Sequence, residues 1–227
     1  MVKKFFISFL LLSSLFASAQ INEIGITVGG SNYIGDIGPE NYINPNSYAI
    51  GAVYKYNLNP RIALRGNFTY FDIKSDDANS SNVGRQERGL YFTNTILELA
   101  GGVEFSWFEY DLSTQEKTHT PYILLQVAVM NYNIVDEQIS SDEYTYKTIN
   151  SVAIPFGLGY KTKLFGKFAL GAEIGVRYTI KDDIDYNNFY IPELSFGNPQ
   201  NNDWYVFSGI NLVYTFGRPP CYATRSY

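Results

Sequence analysis

The sequence has very little cysteine and histidine, and it has few long apolar segments. One cysteine, Cys221, and one histidine, His119, occur among 227 residues, which excludes an internal disulfide framework and any Cys/His metal-binding spacing. After the first twenty residues, no apolar run is long enough for a membrane-spanning helix. A glycine-rich phosphate-binding loop is also absent. If the mature chain crosses a membrane, it must therefore do so with β-strands.

Residues 1–19 have the organisation of a secretory signal peptide. Lys3 and Lys4 form a positive region, the run "FFISFLLLSSLF" is a short apolar core, and Ala17-Ser18-Ala19 has the small-x-small pattern of a cleavage site. This predicts Gln20 as the mature N-terminus. No cysteine stands at the cleavage point, which argues against an acylated lipoprotein.

The charge of the chain disfavours nucleic acid as a partner. Asp and Glu number 22 against 17 Lys and Arg, for a net charge of −5, and loss of Lys3 and Lys4 makes the mature chain more acidic. Tyrosine and phenylalanine are abundant, with 20 and 16 residues, as is typical of β-rich chains.

The stretch "FALGAEIGVRYTI", residues 168–180, shows the pattern that dominates the chain. Every second residue is apolar or aromatic, which is the period of a β-strand, while glycine, Glu173 and Arg177 lie between them. No segment of the mature chain has a convincing helical period. The same alternation predicts eight strands, at about 23–30, 48–56, 62–70, 97–107, 123–129, 152–160, 168–180 and 206–216.

The lengths of the connections alternate too. Long polar connections at 31–47, 72–89, 132–147 and 181–203 alternate with shorter ones at 57–60, 110–120 and 161–167. Outer-membrane barrels have this organisation, with an even number of strands, short periplasmic turns and long outer loops. We therefore predict an all-β fold, an eight-stranded antiparallel transmembrane barrel in the cell outer membrane, with both termini periplasmic. The expected division is a signal peptide at 1–19, the barrel at 20–216 and a periplasmic tail at 217–227.

The non-apolar face of the strands indicates which side is the interior. The strands of a soluble calyx would also alternate between apolar and polar residues. Glycine on its water-exposed outer face, however, would weaken the strands without packing against anything. This face is instead rich in Gly and Ala, and it carries charges of both signs, as suits a narrow lumen. We predict a structural lumen charge network of Arg65, Glu98, Glu104, Glu173 and Arg177, with Lys161 on the same face.

No arrangement of residues suggests catalysis. His119 falls in a predicted turn, away from any strand-borne Ser or Asp cluster that could provide a nucleophile. The run "KDDIDYNN" has oxygen ligands that calcium could use, but it lacks the spacing and the final Glu of an EF-hand loop. We interpret this run and the charge-rich "KSDDANSSNVGRQER" as solvated outer loops. The chain is expected to be a non-enzyme with no catalytic, metal-binding or cofactor-binding residues and no cofactor.

Several blocks resemble the PorG family, an outer-membrane barrel component of the type IX secretion system. They are "GGSNYIGDIGP", "RGLYFTNTILELAGGVEFSWFEYD", "LGAEIGVRYTIKDDID" and "NNDWYVFSGINLVYTFGRPPCY", and together they span most of the mature chain. The resemblance implies a barrel that docks on the periplasmic ring built from the lipoprotein PorK/GldK and its partner PorN/GldN. It also implies support of type IX secretion and, where present, gliding motility.

The residues that would touch such partners are expected at the periplasmic end. Lys163 and Lys167 lie in the turn "KTKLFGK", and Arg218 and Cys221 lie in the tail "GRPPCYATRSY". The lysines fit a ring contact or ordinary anchoring at the membrane edge, where outer-membrane lipid is the partner. Cys221 fits either a small residue packed under the barrel or an intermolecular disulfide in an oxidising compartment. The alternative function is a stand-alone surface-binding or adhesin-type barrel, or a small porin.

Overall fold

The computed structural model describes residues 21–112, 117–140, 143–196 and 202–217. Eight antiparallel strands follow one another around a closed barrel, and the first pairs with the last. This confirms the predicted fold class. The strands are β1 (Ile21–Ile34), β2 (Ser47–Asn57), β3 (Ile62–Asp76), β4 (Tyr91–Ser106), β5 (His119–Ser140), β6 (Glu143–Lys163), β7 (Phe168–Thr179) and β8 (Trp204–Gly217).

The two ends of the barrel differ in the length of their connections. At one end, the loop end, L1 (35–46), L2 (77–90), L3 (141–142) and L4 (180–203) join the strands. At the other, the turn end, the connections are T1 (58–61), T2 (107–118) and T3 (164–167). The first residue of β1 and the last residue of β8 both lie at the turn end, where Ile21 pairs with Gly217.

The outer face of the barrel is an apolar belt. Along β7, Ala169, Gly171, Glu173, Gly175 and Arg177 are buried, and the residues between them are exposed or half-buried. Closing the sheet pairs the backbone polar groups of every strand, so an apolar surface can face lipid without leaving unpaired donors. The belt identifies the barrel as a transmembrane one. Its exposed members include Ile24, Ile26, Ile50, Phe68, Leu99, Val127, Phe156, Ile174 and Ile210.

The interior of the barrel has two layers. Towards the turn end it is filled by charged side chains. Towards the loop end it is filled by an apolar cluster, which the sequence pattern did not predict, because the inward residues there are themselves large and apolar. The cluster contains Tyr33, Ile37, Phe71, Ile73, Phe92, Ile96, Met130, Tyr132, Ile184, Tyr205 and Phe207.

The predicted long loop at 132–147 is wrong. Strands β5 and β6 continue through it as a hairpin that leaves only L3 between Ser140 and Glu143. Their pairing with the neighbouring strands ends earlier, at Asn131 with β4 and at Ala153 with β7. The hairpin therefore projects beyond the closed barrel as a two-stranded ribbon.

The expectation that the mature chain has no helix is also wrong in L2. A short helix, α1 (Val83–Arg88), begins after Asn82, whose side chain accepts the N–H of Gly84. It ends at Gly89, which has a φ of 68°, a left-handed conformation that favours glycine. In the part of the chain that the structure describes, no helix has the length and apolar character needed to span a membrane.

Candidate functional site

Glu104 is the centre of the charged layer. It is fully buried, and its carboxylate lies 2.8 Å from Nζ of Lys55, 2.6 Å from Nζ of Lys161 and 3.1 Å from NH1 of Arg65. The four side chains come from β2, β3, β4 and β6, so a single carboxylate ties half of the barrel strands together. A buried carboxylate needs such partners, because isolation from water makes an uncompensated charge very costly.

Arg65 extends this network across the lumen to β7. Its NH1 atom lies 2.6 Å from Oε2 of Glu173, and the hydroxyl of Tyr122 donates to the same oxygen at 2.8 Å. Nε of Arg65 donates to the side-chain oxygen of Asn67 at 2.9 Å, which fixes the plane of the guanidinium. Arg65, Lys55 and Lys161 also lie 5.4–5.9 Å from the ring centroid of Tyr122.

A second group of charges lies nearer the middle of the barrel. Nε of Arg177 is 3.7 Å from Oε2 of Glu98, and the hydroxyl of Tyr205 donates to Glu98 at 2.5 Å. NH1 of Arg177 donates to the main-chain oxygen of Gly175 at 2.9 Å, and its guanidinium lies 5.0 Å from the ring of Phe207. Glu98 and Arg177 are both almost completely buried.

The structure places all five predicted lumen charges, Arg65, Glu98, Glu104, Glu173 and Arg177, on the inside of the barrel. Their ion-pair partners come from other strands rather than from the same one. Glu173 and Arg177 are four residues apart on β7, a separation of about 13 Å along a strand, and each pairs across the lumen instead.

Two further buried charges of this layer, Lys55 and Glu23, were not predicted from the sequence. Lys55 stands beside Arg65 in the register of β2 and β3, and its position on the non-apolar face of its strand was the signal that could have identified it. Glu23 is fully buried near the turn end, and its Oε1 accepts a hydrogen bond from Asn57 at 2.9 Å. With both included, the buried charges on the strands are four basic and four acidic side chains, and the lumen is neutral.

The chemistry of this network is structural. Its buried cations and carboxylates bind each other, and the described residues contain no group of three His, Cys, Asp or Glu side chains arranged to hold a metal ion. His119 begins β5 on the outer face, and its Nδ1 is 2.6 Å from the hydroxyl of Tyr160. That position offers the histidine no nucleophile inside the barrel.

The described part of L4, residues 180–196 and 202–203, closes the loop end of the barrel, and the interpretation of "KDDIDYNN" as a solvated loop is wrong. Ile184, Asp185 and Asn187 are buried, and Ile184 packs in the apolar cluster. The hydroxyl of Tyr33 contacts Oδ2 of Asp185 at 2.8 Å and also Oδ1 of Asp203, while Oδ2 of Asp203 accepts the N–H of Ile184 at 3.1 Å. These contacts hold the acidic run inside the mouth of the barrel. Because they come from residues far away in the sequence, the local sequence could not indicate them.

Burial and mutual repulsion raise the pKa values of the L4 carboxyl groups. Burial is the main cause in each case: it raises the pKa of Asp182 to about 7, with repulsion from Asp185 and Asp36, and the pKa of Asp185 to about 6. The pKa of Asp203 is raised well above the ordinary value by burial and by the charge of Asp185.

Asp77 in L2 is a second exception to the solvated-loop interpretation. Its carboxylate is buried and accepts hydrogen bonds from Nε of Arg88 at 2.8 Å, from the N–H of Gly38 at 2.8 Å and from the N–H of Leu90 at 3.1 Å. Although burial opposes it, the bonds from Arg88 and the two backbone N–H groups lower the pKa of Asp77. Asp77 thus fastens α1 and L1 over the mouth.

Two of the predicted partner-contact residues, Lys163 and Lys167, lie at the turn end. Lys163 is the last residue of β6, and Lys167 in T3 places its Nζ 5.8 Å from the ring centroid of Tyr214. Arg218 and Cys221 lie outside the described residues, as does the predicted signal peptide at 1–19.

Comparison with known proteins gives a family and a group of similar barrels. The solved structures similar to this chain include the attachment invasion locus protein Ail of Yersinia pestis in complex with the heparin analogue sucrose octasulfate (12% identity, TM-score 0.48, 88% of this chain and 100% of that chain covered). They also include a major outer membrane protein of Thermus thermophilus (15% identity, TM-score 0.48, 88% and 100% covered) and the N-terminal β-barrel domain of Pseudomonas aeruginosa OprF (14% identity, TM-score 0.41, 88% and 98% covered).

None of the curated proteins matches this chain. The even number of strands, the apolar belt and the charged lumen are those of a small outer-membrane β-barrel. The family model described as "Domain of unknown function (DUF6089)" matches residues 2–225. Because that match includes nearly the whole sequence, the chain belongs to the DUF6089 family.

Proposed function

We propose that this protein is a non-enzymatic outer-membrane anchor that supports the periplasmic ring complex of the type IX secretion system, and gliding motility where present. The observation that carries the proposal is the interior of the barrel, where a neutral network of paired charges and an apolar cluster fill the lumen. Such a barrel is suited to hold a position in the membrane and to present surfaces at its two ends. The resemblance of its sequence blocks to the PorG family supplies the identity of the ring.

In this proposal the turn end and both termini face the periplasm. Lys163 and Lys167 are then at the periplasmic membrane edge, where β8 also ends, and Arg218 and Cys221 follow β8 in the sequence. These residues are the proposed contacts for PorK/GldK and PorN/GldN. Cys221 is further proposed to form a disulfide with one of these partners, since the periplasm is oxidising.

The experiment is co-purification from detergent-solubilised outer membranes with a tagged full-length chain. We expect the ring proteins PorK/GldK and PorN/GldN to be recovered with it, and deletion of 218–227 or the double change Lys163→Glu/Lys167→Glu to reduce that recovery. Lys147→Glu is the matched control, because it reverses the same charge on the exposed hairpin at the opposite end. The heat-dependent gel mobility of each variant checks that the barrel has folded.

Absence of ring proteins from the wild-type sample would contradict the proposal. For Cys221, a non-reducing gel should show a larger species that disappears with reductant and in Cys221→Ser. A single monomer band that reductant does not change would exclude the disulfide but leave the anchor role intact.

One observation favours the second candidate, a surface-binding barrel. The β5–β6 hairpin extends beyond the barrel with exposed side chains such as Ile139 and Tyr146, which could contact a partner at the loop end. If shortening this hairpin removes a binding activity while deletion of 218–227 has no effect, the surface-binding role replaces the anchor role.

A further inference from the structure

Three buried side chains at the loop end have too few protons for the contacts that they make, unless one carboxyl group is protonated. The hydroxyl of Tyr33 lies 2.8 Å from Oδ2 of Asp185 and also within hydrogen-bond distance of Oδ1 of Asp203. A phenol carries one proton and can donate to only one of the two carboxylates. The other oxygen contact therefore needs a proton on the carboxyl group, which then donates to the oxygen of Tyr33.

The surroundings of this cluster also favour a bound proton. None of the ion pairs among the described residues includes Asp182, Asp183, Asp185 or Asp203. The positive charge of Lys181 on L4 favours the ionised form of Asp183. The carboxylate of Asp183 also accepts a hydrogen bond from the hydroxyl of Tyr132. The other facing groups are acidic or neutral, apart from Arg88 of α1, which donates to the main-chain oxygen of Asp36. They are Asp36 from L1, Asp182 and Asn187 from L4, Tyr33 from β1 and Tyr132 from β5.

The cluster holds L4 in place. Oδ2 of Asp203 accepts the N–H of Ile184 at 3.1 Å, and the main-chain oxygen of Ile184 accepts a bond from Asn94 of β4 at 2.8 Å. The side chain of Ile184 is fully buried in the apolar cluster. Separation of Asp203 from Asp185 would therefore remove both the hydrogen bonds and the apolar contact that seat this loop.

We propose that Asp203, Tyr33 and Asp185 form a proton-dependent latch, which seats the described part of L4, residues 180–196, in the barrel mouth while one carboxyl group is protonated and releases this segment when that proton passes to water. Loss of the proton leaves two carboxylates around one phenol in a buried site, and their repulsion favours the open loop.

The sign of the pH dependence follows from the direction of the pKa changes. Burial raises the pKa of Asp185 to about 6 and raises that of Asp203 well above its ordinary value, so the seated loop binds more protons than the open one above the ordinary Asp pKa of about 4. Seating is therefore strongest at acidic pH and weakens as the pH rises. The ratio of seated to open loop falls about tenfold per pH unit for each extra proton in that window.

The test is the reactivity of a buried position in L4, measured on the folded full chain in detergent with EDTA. Cys221→Ser removes the chain's one cysteine, and Ile184→Cys then introduces a thiol where the side chain is buried. Its rate of reaction with a maleimide is divided by that of Tyr190→Cys, an exposed position in the same loop, which corrects for thiol ionisation. We expect this ratio to rise at least tenfold between pH 5 and pH 9.

Asp203→Asn should keep the loop seated at every pH. The carboxamide donates an N–H to Tyr33 while its oxygen accepts from Ile184, as a protonated carboxyl would. Asp136→Asn, an exposed acid on the hairpin, is the matched control and should behave as the unchanged latch does. If Ile184→Cys prevents folding, Ile191→Cys, another buried L4 position, takes its place.

A pH-independent ratio with the natural Asp203, or an equal rise in Asp203→Asn, would overturn the proposal. So would restored protection at pH 9 on replacing EDTA with Ca²⁺, since a cation rather than a proton would then neutralise the cluster.

Discussion

The side chains that hold this barrel together depend on one another for their charge. Glu104 faces Lys55, Lys161 and Arg65 within 3.1 Å of its carboxylate, and Arg65 is in turn shared with Glu173. Because all of these groups are buried, removal of one does not merely lose a bond. It leaves the remaining charges uncompensated in a site that water does not reach.

Replacement of Glu104 by glutamine should therefore destabilise the barrel strongly. Glutamine keeps the shape but leaves Lys55, Lys161 and Arg65 with one anion too few, and we expect a loss of about 3–5 kcal/mol in the free energy of unfolding. Urea unfolding in detergent, followed by the heat-dependent gel shift, measures it.

The control for this change is Glu109→Gln. Glu109 pairs with Arg61 at 3.5 Å, but both side chains are exposed, so its loss should cost less than about 1 kcal/mol. Equal stability of Glu104→Gln and the wild type would show that the lumen network is not needed to close the barrel.

Residue types and the alternation along each strand were enough to predict which charges face the interior. They were not enough to predict which of these charges pair with each other. Arg65 and Glu173 are 108 residues apart, and only the closed barrel brings them together across the lumen. The same limit hid the burial of Asp185 and Asp203, because an acidic run in a loop is normally solvated, and what buries this one is contact with Tyr33 on another element.

At the scale of single elements, β4 shows how the two faces of a strand differ. A Cβ atom added at Gly102, on the inner side, would lie 2.1 Å from the main-chain oxygen of Leu125 on β5. A Cβ atom added at Gly101, on the lipid side, would meet nothing within 4 Å. At this level of the barrel, β5 approaches β4 closely on the inner side, and Gly102 permits it.

Gly102→Ala should therefore disturb the pairing of β4 with β5, whereas Gly101→Ala should be tolerated. A main-chain oxygen cannot move aside as a side chain can, and overpacking of this kind costs about 1–3 kcal/mol. The measurement is the fraction of folded barrel after refolding into detergent, followed by urea unfolding. Equal behaviour of the two alanine variants would contradict the close approach.

The elements themselves were predictable where one face meets lipid and the other the lumen. Beyond the membrane this contrast disappears, because both faces of the β5–β6 hairpin can meet water and no apolar alternation is needed. That is why the segment 132–147 was mistaken for a loop. The L2 helix was missed for a related reason, since α1 has six residues, too few to establish a helical period.

The whole molecule combines a layer of paired charges, with no net charge, at the turn end with an apolar layer beneath L4 at the loop end. An aqueous channel needs a continuous polar path, and the apolar cluster around Phe71, Phe92 and Ile96 interrupts it. In an eight-stranded barrel, the lumen is narrow enough for side chains to fill. A lumen filled in this way favours the proposed anchor role over that of a small porin.

In planar bilayers the purified chain should accordingly give no steady ion current. The double change Arg65→Ala/Glu173→Ala removes a paired cation and anion together, so the lumen stays neutral but loses two of its large side chains. We expect this variant to unfold at a lower urea concentration and still to pass no current of porin size, because the apolar cluster remains in place.

Insertion is verified by protease protection and by the gel shift. Steady porin-like currents from the wild-type barrel would contradict a filled lumen and favour the porin alternative, whereas currents confined to the double variant would assign the seal to the charged layer instead of the apolar one.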